Sequence, residues 1–205
     1  MAATTVAIAG HKTQNKVPDY LVKEVIDGIP VYYKGYRDVL NKTKTLEEIV
    51  ADGLLQAMLK MWLSNLLYNH LNTTRYWVFA GEVGSHVAHN NNMAHDIAVF
   101  EKDVLPAGKI TTKYADVPAR MVVEIDTEIE YGEDVSVETY VHKKTQIALD
   151  FGTEKVVWIF TASRKIMTAV AGQNWVISDW DQPVDLLDGL TCNVAAYLKK
   201  EGVAI

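Results

Sequence analysis

Charged residues interrupt apolar runs at three places in the middle of this sequence. Asp96 stands at the start of the run Ile-Ala-Val-Phe, and Glu124 lies within Met-Val-Val-Glu-Ile-Asp, which is β-branched and too short for a helix. Both runs are typical of buried strands, and if the two strands pair, Asp96 and Glu124 can converge. Clustered carboxylates inside a sheet repel one another and lose hydration, so they need a partner. A hard divalent cation is the simplest partner, and Mg²⁺ usually takes one or two carboxylates plus waters.

The third unexpected charge, Lys144, falls on the apolar side of a predicted helix. Ser136 suits its N-cap, and Gly152 suits the position that follows its last turn. A lysine on the core side of a helix loses hydration unless a carboxylate or an anion meets it. We therefore expect Lys144 to reach over the sheet towards Glu124, whereas Lys143 faces the polar side. The apolar stripe at helical spacing consists of Val137, Tyr140, Val141, Ala148 and Phe151.

The order of these motifs resembles that of a nuclease superfamily. An aspartate, then Glu-x-Asp, then a helical lysine is similar to the PD-(D/E)xK nucleases. The sequence resembles more closely the Uma2 family of restriction-endonuclease-like proteins, in which the lysine lies on the following helix. The resemblance covers residues 20 to 200 approximately, and the matching stretches are YLVKEVIDGIPVYY, HDIAVF, VVEID and KKTQIALDFGTEKVVWIF.

This resemblance implies an α/β, restriction-endonuclease-like fold, with a bent mixed central sheet flanked by helices and an N-terminal β-hairpin. It also implies a metal-dependent DNA endonuclease in which Asp96 and Glu124 hold Mg²⁺ or Mn²⁺ and Lys144 is catalytic. The sequence departs from the family pattern at two positions. His95 stands in place of a proline, and Asp126 holds the place of the usual strand lysine, so the lysine role passes to Lys144.

Three further carboxylates are candidates for the same site. Asp126 lies two residues after Glu124, so both side chains point to one face of a strand. Glu82 lies close to Asp96 in the sequence. Glu24 matches an acidic position of the Uma2 pattern, although a solvated strand residue is the alternative, because glutamates are mostly exposed.

Three neighbouring histidines, His86, His89 and His95, raise the alternative of a zinc site. Their spacing fits no helical pair of ligands, and the single cysteine, Cys192, is remote. His86 and His89 would also face opposite sides of an extended segment. Local hydrogen bonding is therefore the preferred interpretation, and a contact between His95 and a phosphate is a further one.

Local signals predict the elements around these motifs. Asp27-Gly28 between two apolar segments predicts a β-hairpin, and Thr45-Leu46-Glu47-Glu48 predicts a capping box that opens one long helix through about Leu71. Strands are predicted over 75–80, 83–88, 155–161 and 165–170, and a short helix over 193–200. Residues 101–120 form a long connection whose basic residues contact either phosphates or solvent.

Length and composition set broader bounds. The 205 residues, 49% of them hydrophobic, suit one domain with a real core, assigned to 19–205 after a loosely ordered segment 1–18. The net charge of −6 argues against a broad surface that coats nucleic acid, but it permits a local basic cleft. One cysteine and no visible signal peptide or membrane span predict a cytoplasmic protein without a membrane partner.

Two alternatives to a nuclease stay open at this point. The chain could be a catalytically inactive nuclease-fold module that serves binding or assembly, as the acidic net charge and Asp126 would favour. The carboxylates and Lys144 could also form a buried ion-pair network without a function, although an apolar core would often stabilise a fold as well as a buried ion pair does. DNA is the partner that the nuclease hypothesis expects, and a homodimer is compatible with each hypothesis.

Overall fold

The computed structural model describes residues 17–89, 91–125, 129–130 and 136–204. Asp126 and almost all of the predicted loosely ordered segment 1–18 lie outside the described residues. The helices are α1 (Tyr36–Leu40), α2 (Glu47–Val50), α3 (Leu54–His70), α4 (Val137–Phe151) and α5 (Val194–Lys200). The strands are β1 (Val22–Ile26), β2 (Ile29–Tyr33), β3 (Tyr76–Ala88), β4 (Asn91–Glu101), β5 (Met121–Ile125), β6 (Ile129–Glu130), β7 (Lys155–Phe160), β8 (Lys165–Val170), β9 (Val176–Asp179), β10 (Val184–Asp185) and β11 (Thr191–Cys192).

A mixed central sheet organises the part of the chain that the structure describes. Its strand order is β6-β2-β1-β4-β5-β7-β8-β9, and β3 also pairs with β4. Strands β5 and β7 are parallel, whereas the other pairs of this sheet are antiparallel. Parallel neighbours need a crossover connection, and α4 supplies it. The predicted α/β class, with a mixed sheet flanked by helices, is confirmed.

The N-terminal β-hairpin forms where the sequence predicts it. Asp27 and Gly28 both have positive φ values, 51° and 73°, as a tight two-residue hairpin turn favours. The Asp27 N–H donates a hydrogen bond of 3.0 Å to Asn91 Oδ1, and Val25 pairs with Asn92. The hairpin is thereby joined to the first residues of β4, which places Glu24 near the start of that strand.

Apolar residues on the two faces of the sheet form two separate layers of the core. Side chains alternate along β4 and β5, so Ile97 and Val123 pack with α3, whereas Ala98 and Val122 pack on the side of α4. Helix α5 joins the first layer, where Tyr197 stacks on Trp62 with ring centroids 4.2 Å apart. The fully buried leucines of α3 are Leu59, Leu63 and Leu67. Helices α3 and α4 therefore approach the strands from opposite faces.

Two predicted boundaries are wrong. The long helix from Thr45 is broken after α2, because Ala51 and Gly53 both adopt extended conformations. Only half of the capping box forms, through the Thr45 N–H and the Glu48 carboxylate at 2.7 Å. The two strands predicted over 75–88 are one strand, β3, with a bulge where Gly81 and Glu82 have positive φ values.

Candidate functional site

The pairing of β4 with β5 brings Asp96 and Glu124 together at one end of the two strands. The last paired residues there are Ile97 and Val123, so Asp96 and Glu124 come next on neighbouring strands. Beyond that pair, the Ile125 N–H donates a hydrogen bond of 2.6 Å to Asp96 Oδ2. The two carboxylates are only 6% and 5% exposed. Strand pairing thus produces the convergence that the two apolar runs predict.

Helix α4 carries Lys144 into the same place. The Ser136 side chain accepts a hydrogen bond from the Thr139 N–H at 3.2 Å, and Gly152 ends the helix with φ 116°, as its sequence predicts. Lys144 is 3% exposed, and its Nζ lies 3.1 Å from Glu124 Oε2. The Nζ also donates a hydrogen bond of 2.6 Å to the Ala94 carbonyl.

Glu24 is part of this cluster. Its Oε1 lies 3.5 Å from Lys144 Nζ and accepts a hydrogen bond from the Tyr140 hydroxyl, and its Oε2 accepts the Ala94 N–H at 3.4 Å. Because Glu24 is buried, the alternative of a solvated strand residue is wrong. The β-hairpin, β4, β5 and α4 therefore meet around one ammonium group.

The three histidines do not come together as zinc ligands. His95 is buried, and its Nδ1 lies 2.7 Å from Glu124 Oε1, whereas His86 and His89 are exposed. His86 Nδ1 bonds locally to Asn92 Oδ1 at 2.6 Å. Among the described residues, no group of three or more His, Cys, Asp or Glu side chains is placed to hold a metal ion. The local hydrogen bond that the sequence favours is thus described for His86, whereas His95 bonds to Glu124 on the neighbouring strand β5.

Two polar residues of α3 complete the cluster, and sequence reasoning missed both. Lys60 Nζ lies 2.7 Å from Asp96 Oδ1 and 2.8 Å from Asp52 Oδ2. Gln56 is buried, and its Nε2 donates a hydrogen bond of 2.8 Å to the Ile125 carbonyl. Gln56 and Lys60 are four residues apart and so share one side of the helix. The four-residue spacing of these two polar residues, next to the apolar stripe of α3, is the sequence signal that could have indicated them.

Of the two remaining predicted carboxylates, the structure describes only Glu82, which lies apart from the cluster. Glu82 lies on the bulge of β3 with about half of its side chain exposed, and its Oε1 is 3.9 Å from Lys23 Nζ. It has no described contact with Asp96, Glu124 or Lys144. Asp126 lies outside the described residues, so its predicted contact stays a prediction.

Burial and charge set the protonation of the two central carboxylates in opposite directions. Burial and the neighbouring Glu124 raise the pKa of Asp96 to about 6, although Lys60 and the Ile125 N–H oppose the shift. Burial would also raise the pKa of Glu124, but the Lys144 charge and the hydrogen bond from His95 outweigh it, and the pKa of Glu124 is lowered. Glu124 is therefore the firmly ionised member of the pair.

Both lysines keep their protons. Burial alone would lower the pKa of Lys144, yet Glu124 and Glu24 outweigh the lost hydration and raise it. The pKa of Lys60 is likewise raised, because Asp96 and Asp52 outweigh burial. Two permanent cations, one from each side of the sheet, thus face four carboxylates: Lys144 faces Glu124 and Glu24, and Lys60 faces Asp96 and Asp52.

Two clefts lead from solvent towards the cluster. The larger has a volume of about 630 Å³, and its lining includes Glu24, Ala94 and His86. The smaller, of about 250 Å³, is also lined by Ala94, together with Asp52 and Gln56. Both clefts share Lys23 and Tyr114. The Tyr114 ring packs on Gly84, where an added Cβ would come within 2.3 Å of it, so this position requires glycine.

The comparison with solved structures identifies the fold. A protein from Anabaena variabilis described as "a putative nuclease belonging to DUF820" matches with a TM-score of 0.63 over 85% of this chain and 88% of that chain. The chain shares that protein's fold. The identity is 15%, so the likeness establishes the fold, and activity has to be argued from the site. No protein-family model matches the chain, and no curated protein does either.

None of the helices that the structure describes is long and apolar enough to cross a bilayer.

The first prediction concerns the buried ion pair. Lys144→Met should destabilise the fold by roughly 3 to 5 kcal/mol, because it leaves the Glu124 charge buried without its cation. Lys143→Met, on the less buried neighbouring position, should cost less than about 1 kcal/mol. The measurement is denaturant unfolding of both variants, of Glu124→Gln and of the Lys144→Met/Glu124→Gln double variant, which gives the interaction free energy between Lys144 and Glu124. If the effects of Lys144→Met and Glu124→Gln are additive, the two side chains do not interact.

The second prediction concerns pH. The pKa of Asp96 is about 6 in the folded state against a usual 3.8, so the folded protein binds the proton more tightly than the unfolded chain. The resulting stabilisation is complete below pH 4 approximately and is lost as the pH rises through about 6. The difference in unfolding free energy between wild type and Asp96→Asn should fall over this window by roughly 2 to 3 kcal/mol. Parallel stability curves for the two proteins would show that the shift is absent.

Proposed function

We propose that this chain is a metal-dependent DNA endonuclease that hydrolyses phosphodiester bonds. One observation carries the proposal: a buried lysine ammonium lies 3.1 Å from Glu124 while Asp96 stands beside Glu124 on the paired strand. This is the set of groups that the motif order predicts for a PD-(D/E)xK site. The nuclease-like fold supports the proposal at the level of architecture.

The donor set fits a hard divalent ion. Asp96 and Glu124 offer carboxylate oxygens, and one or two carboxylates with water suffice for Mg²⁺ or Mn²⁺. The Lys60 ammonium between Asp52 and Asp96 is a stand-in positive charge, so this place in the fold already stabilises a cation. When bound there, the ion would supply Lewis-acid polarisation of the scissile phosphate and a more acidic water.

Lys144 would stabilise charge on the phosphate rather than take a proton. Its pKa is raised, so the amine stays an ammonium and is no general base. Its contact with Glu24 is its longest, at 3.5 Å, and Glu24 also accepts the Tyr140 hydroxyl. A phosphate oxygen entering along the larger cleft could replace that contact, while Glu124 and the Ala94 carbonyl hold the ammonium in place.

The reaction is a hydrolysis and needs no oxidant or second substrate. The oxygen of a water molecule forms a bond to phosphorus and gives up a proton to solvent. The bond from phosphorus to the leaving sugar oxygen breaks, and that oxygen takes up a proton to become a hydroxyl. Lys144 contributes by placing a fixed positive charge where negative charge develops on the phosphate, and the carboxylates contribute by holding the ion that would do the same.

One observation favours the alternative of a catalytically inactive module. Both oxygens of Asp96 and both oxygens of Glu124 already have partners, and each residue is almost fully buried. A site whose carboxylate oxygens all have partners has a structural role only, unless some of these contacts break to admit an ion. A DNA cleavage assay on the purified protein therefore distinguishes the nuclease from the inactive module.

The third prediction is a test of cleavage. Wild type should cut supercoiled, linear or branched DNA with Mg²⁺ or Mn²⁺. Glu124→Gln should cut at least 100-fold more slowly, because it removes a carboxylate ligand of the ion, and a 100-fold loss corresponds to about 2.7 kcal/mol. Lys144→Met should lower the cleavage rate far more than DNA affinity, while Lys143→Met serves as the control with near wild-type rates. Folding of each variant is checked by circular dichroism at the assay temperature. If wild type cuts none of these substrates, the inactive module takes the place of the nuclease.

A further inference from the structure

Lys60 occupies the single oxygen of Asp96 that a metal ion could most readily take. Asp96 Oδ2 is held by the Ile125 backbone N–H at 2.6 Å, within the strand pairing. Asp96 Oδ1 is the other oxygen, and Lys60 Nζ lies 2.7 Å from it. An ammonium and a divalent ion at that oxygen repel each other at contact distance, so Lys60 in this position opposes ion binding.

Asp52 gives the same ammonium a second partner on the solvent side. Lys60 Nζ lies 2.8 and 2.9 Å from the two Asp52 oxygens, and the Asp52 side chain is 37% exposed against 8% for Asp96. The break between α2 and α3, with extended Ala51 and Gly53, sets Asp52 at this position. The lysine is therefore tethered between one buried carboxylate and one accessible carboxylate, beside the smaller cleft.

We propose that Lys60 is a displaceable internal cation that neutralises Asp96 until a divalent ion arrives, and that Asp52 then retains the released ammonium. The inference rests on the ion site of the proposed function and adds the regulation of that site. It explains why the carboxylates can stay buried without an ion. It also makes ion affinity depend on two residues that are not ligands.

Lys144 does not offer the same exchange. Its ammonium has partners in Glu124, Glu24 and the Ala94 carbonyl, all from buried or strand residues, and the Lys144 side chain is 4% exposed. Lys60 is the more accessible cation, at 12% side-chain exposure, and it alone of the two contacts a carboxylate that faces solvent. Displacement of Lys60 therefore leaves less unpaired charge buried than displacement of Lys144 would.

The experiment is calorimetric titration of Mn²⁺ alone into the full chain, without DNA. Lys60→Met removes the competing charge and should tighten Mn²⁺ binding on the order of tenfold or more. Lys60→Arg keeps the charge and should bind Mn²⁺ about as wild type does. Lys165→Met is the matched control, because Lys165 pairs with Asp179 on the far strands of the sheet and should leave affinity within twofold.

Asp52 supplies a second arm, and its first measurement leaves Lys60 unchanged. Asp52→Asn should weaken Mn²⁺ binding in the wild-type background, since the released ammonium loses its partner. The same change should have no effect when Lys60 is already methionine. If Asp52 instead touched the ion, the loss would be equal in both backgrounds, and that result would overturn the inference.

The remaining outcomes separate this inference from the proposed function. The inference is overturned if Lys60→Met binds Mn²⁺ no more tightly than wild type and the control Lys165→Met do. This holds even if the protein cuts DNA. No Mn²⁺ binding by Lys60→Met at millimolar concentration overturns it too. The predicted affinity pattern in a protein that cuts no DNA upholds the inference and rejects the nuclease.

Discussion

The ion pair between Lys144 and Glu124 is the contact on which the rest of the site depends. Two charges buried in this way cost several kcal/mol of lost hydration each unless hydrogen bonds replace the water. Here the ammonium meets the Ala94 carbonyl, Glu124 and Glu24, and the second Glu124 oxygen meets His95. The network joins four elements, and none of them could shift alone without exposing a charge to the apolar core.

A second ammonium approaches from the opposite face of the sheet. Helix α3 packs on one layer of the core and supplies Lys60 to Asp96, whereas α4 packs on the other layer and supplies Lys144 to Glu124. The two carboxylates are thus balanced by two lysines from two helices. The metal-dependent hydrolysis that we propose for this site requires an exchange of cations, and the contact of Lys60 with the partly exposed Asp52 makes that side the easier one to open.

Local patterns in the sequence predicted the parts of the site that local structure controls. The helical spacing around Lys144, with Ser136 and Gly152 at its ends, determined which lysine faces the sheet, and Asp27-Gly28 determined the hairpin. The apolar runs around Asp96 and Glu124 indicated two strands that could pair. In each case the physical signal lies within about fifteen residues of the chain.

The parts that the sequence did not predict depend on contacts between distant residues. The helix predicted from Thr45 breaks before α3, although its apolar pattern continues through the break. The break allows Asp52 to meet Lys60. Burial of Glu24 depends on β1 joining β4, seventy residues further along the chain. Whether His95 is a zinc ligand and whether Glu24 is solvated could therefore be decided only once the pairing of these strands was known.

The most direct test of the account is the position of an ion. Crystals of the wild type and of Lys60→Met, soaked in Mn²⁺, would be measured at a wavelength where manganese scatters anomalously. The account predicts a peak at coordination distance, about 2.0 to 2.3 Å, from oxygens of Asp96 and Glu124, with Lys60 turned to Asp52 in the wild type. Well-ordered crystals with both carboxylates still bonded to Lys60 and Lys144, and with no peak between them, would contradict it.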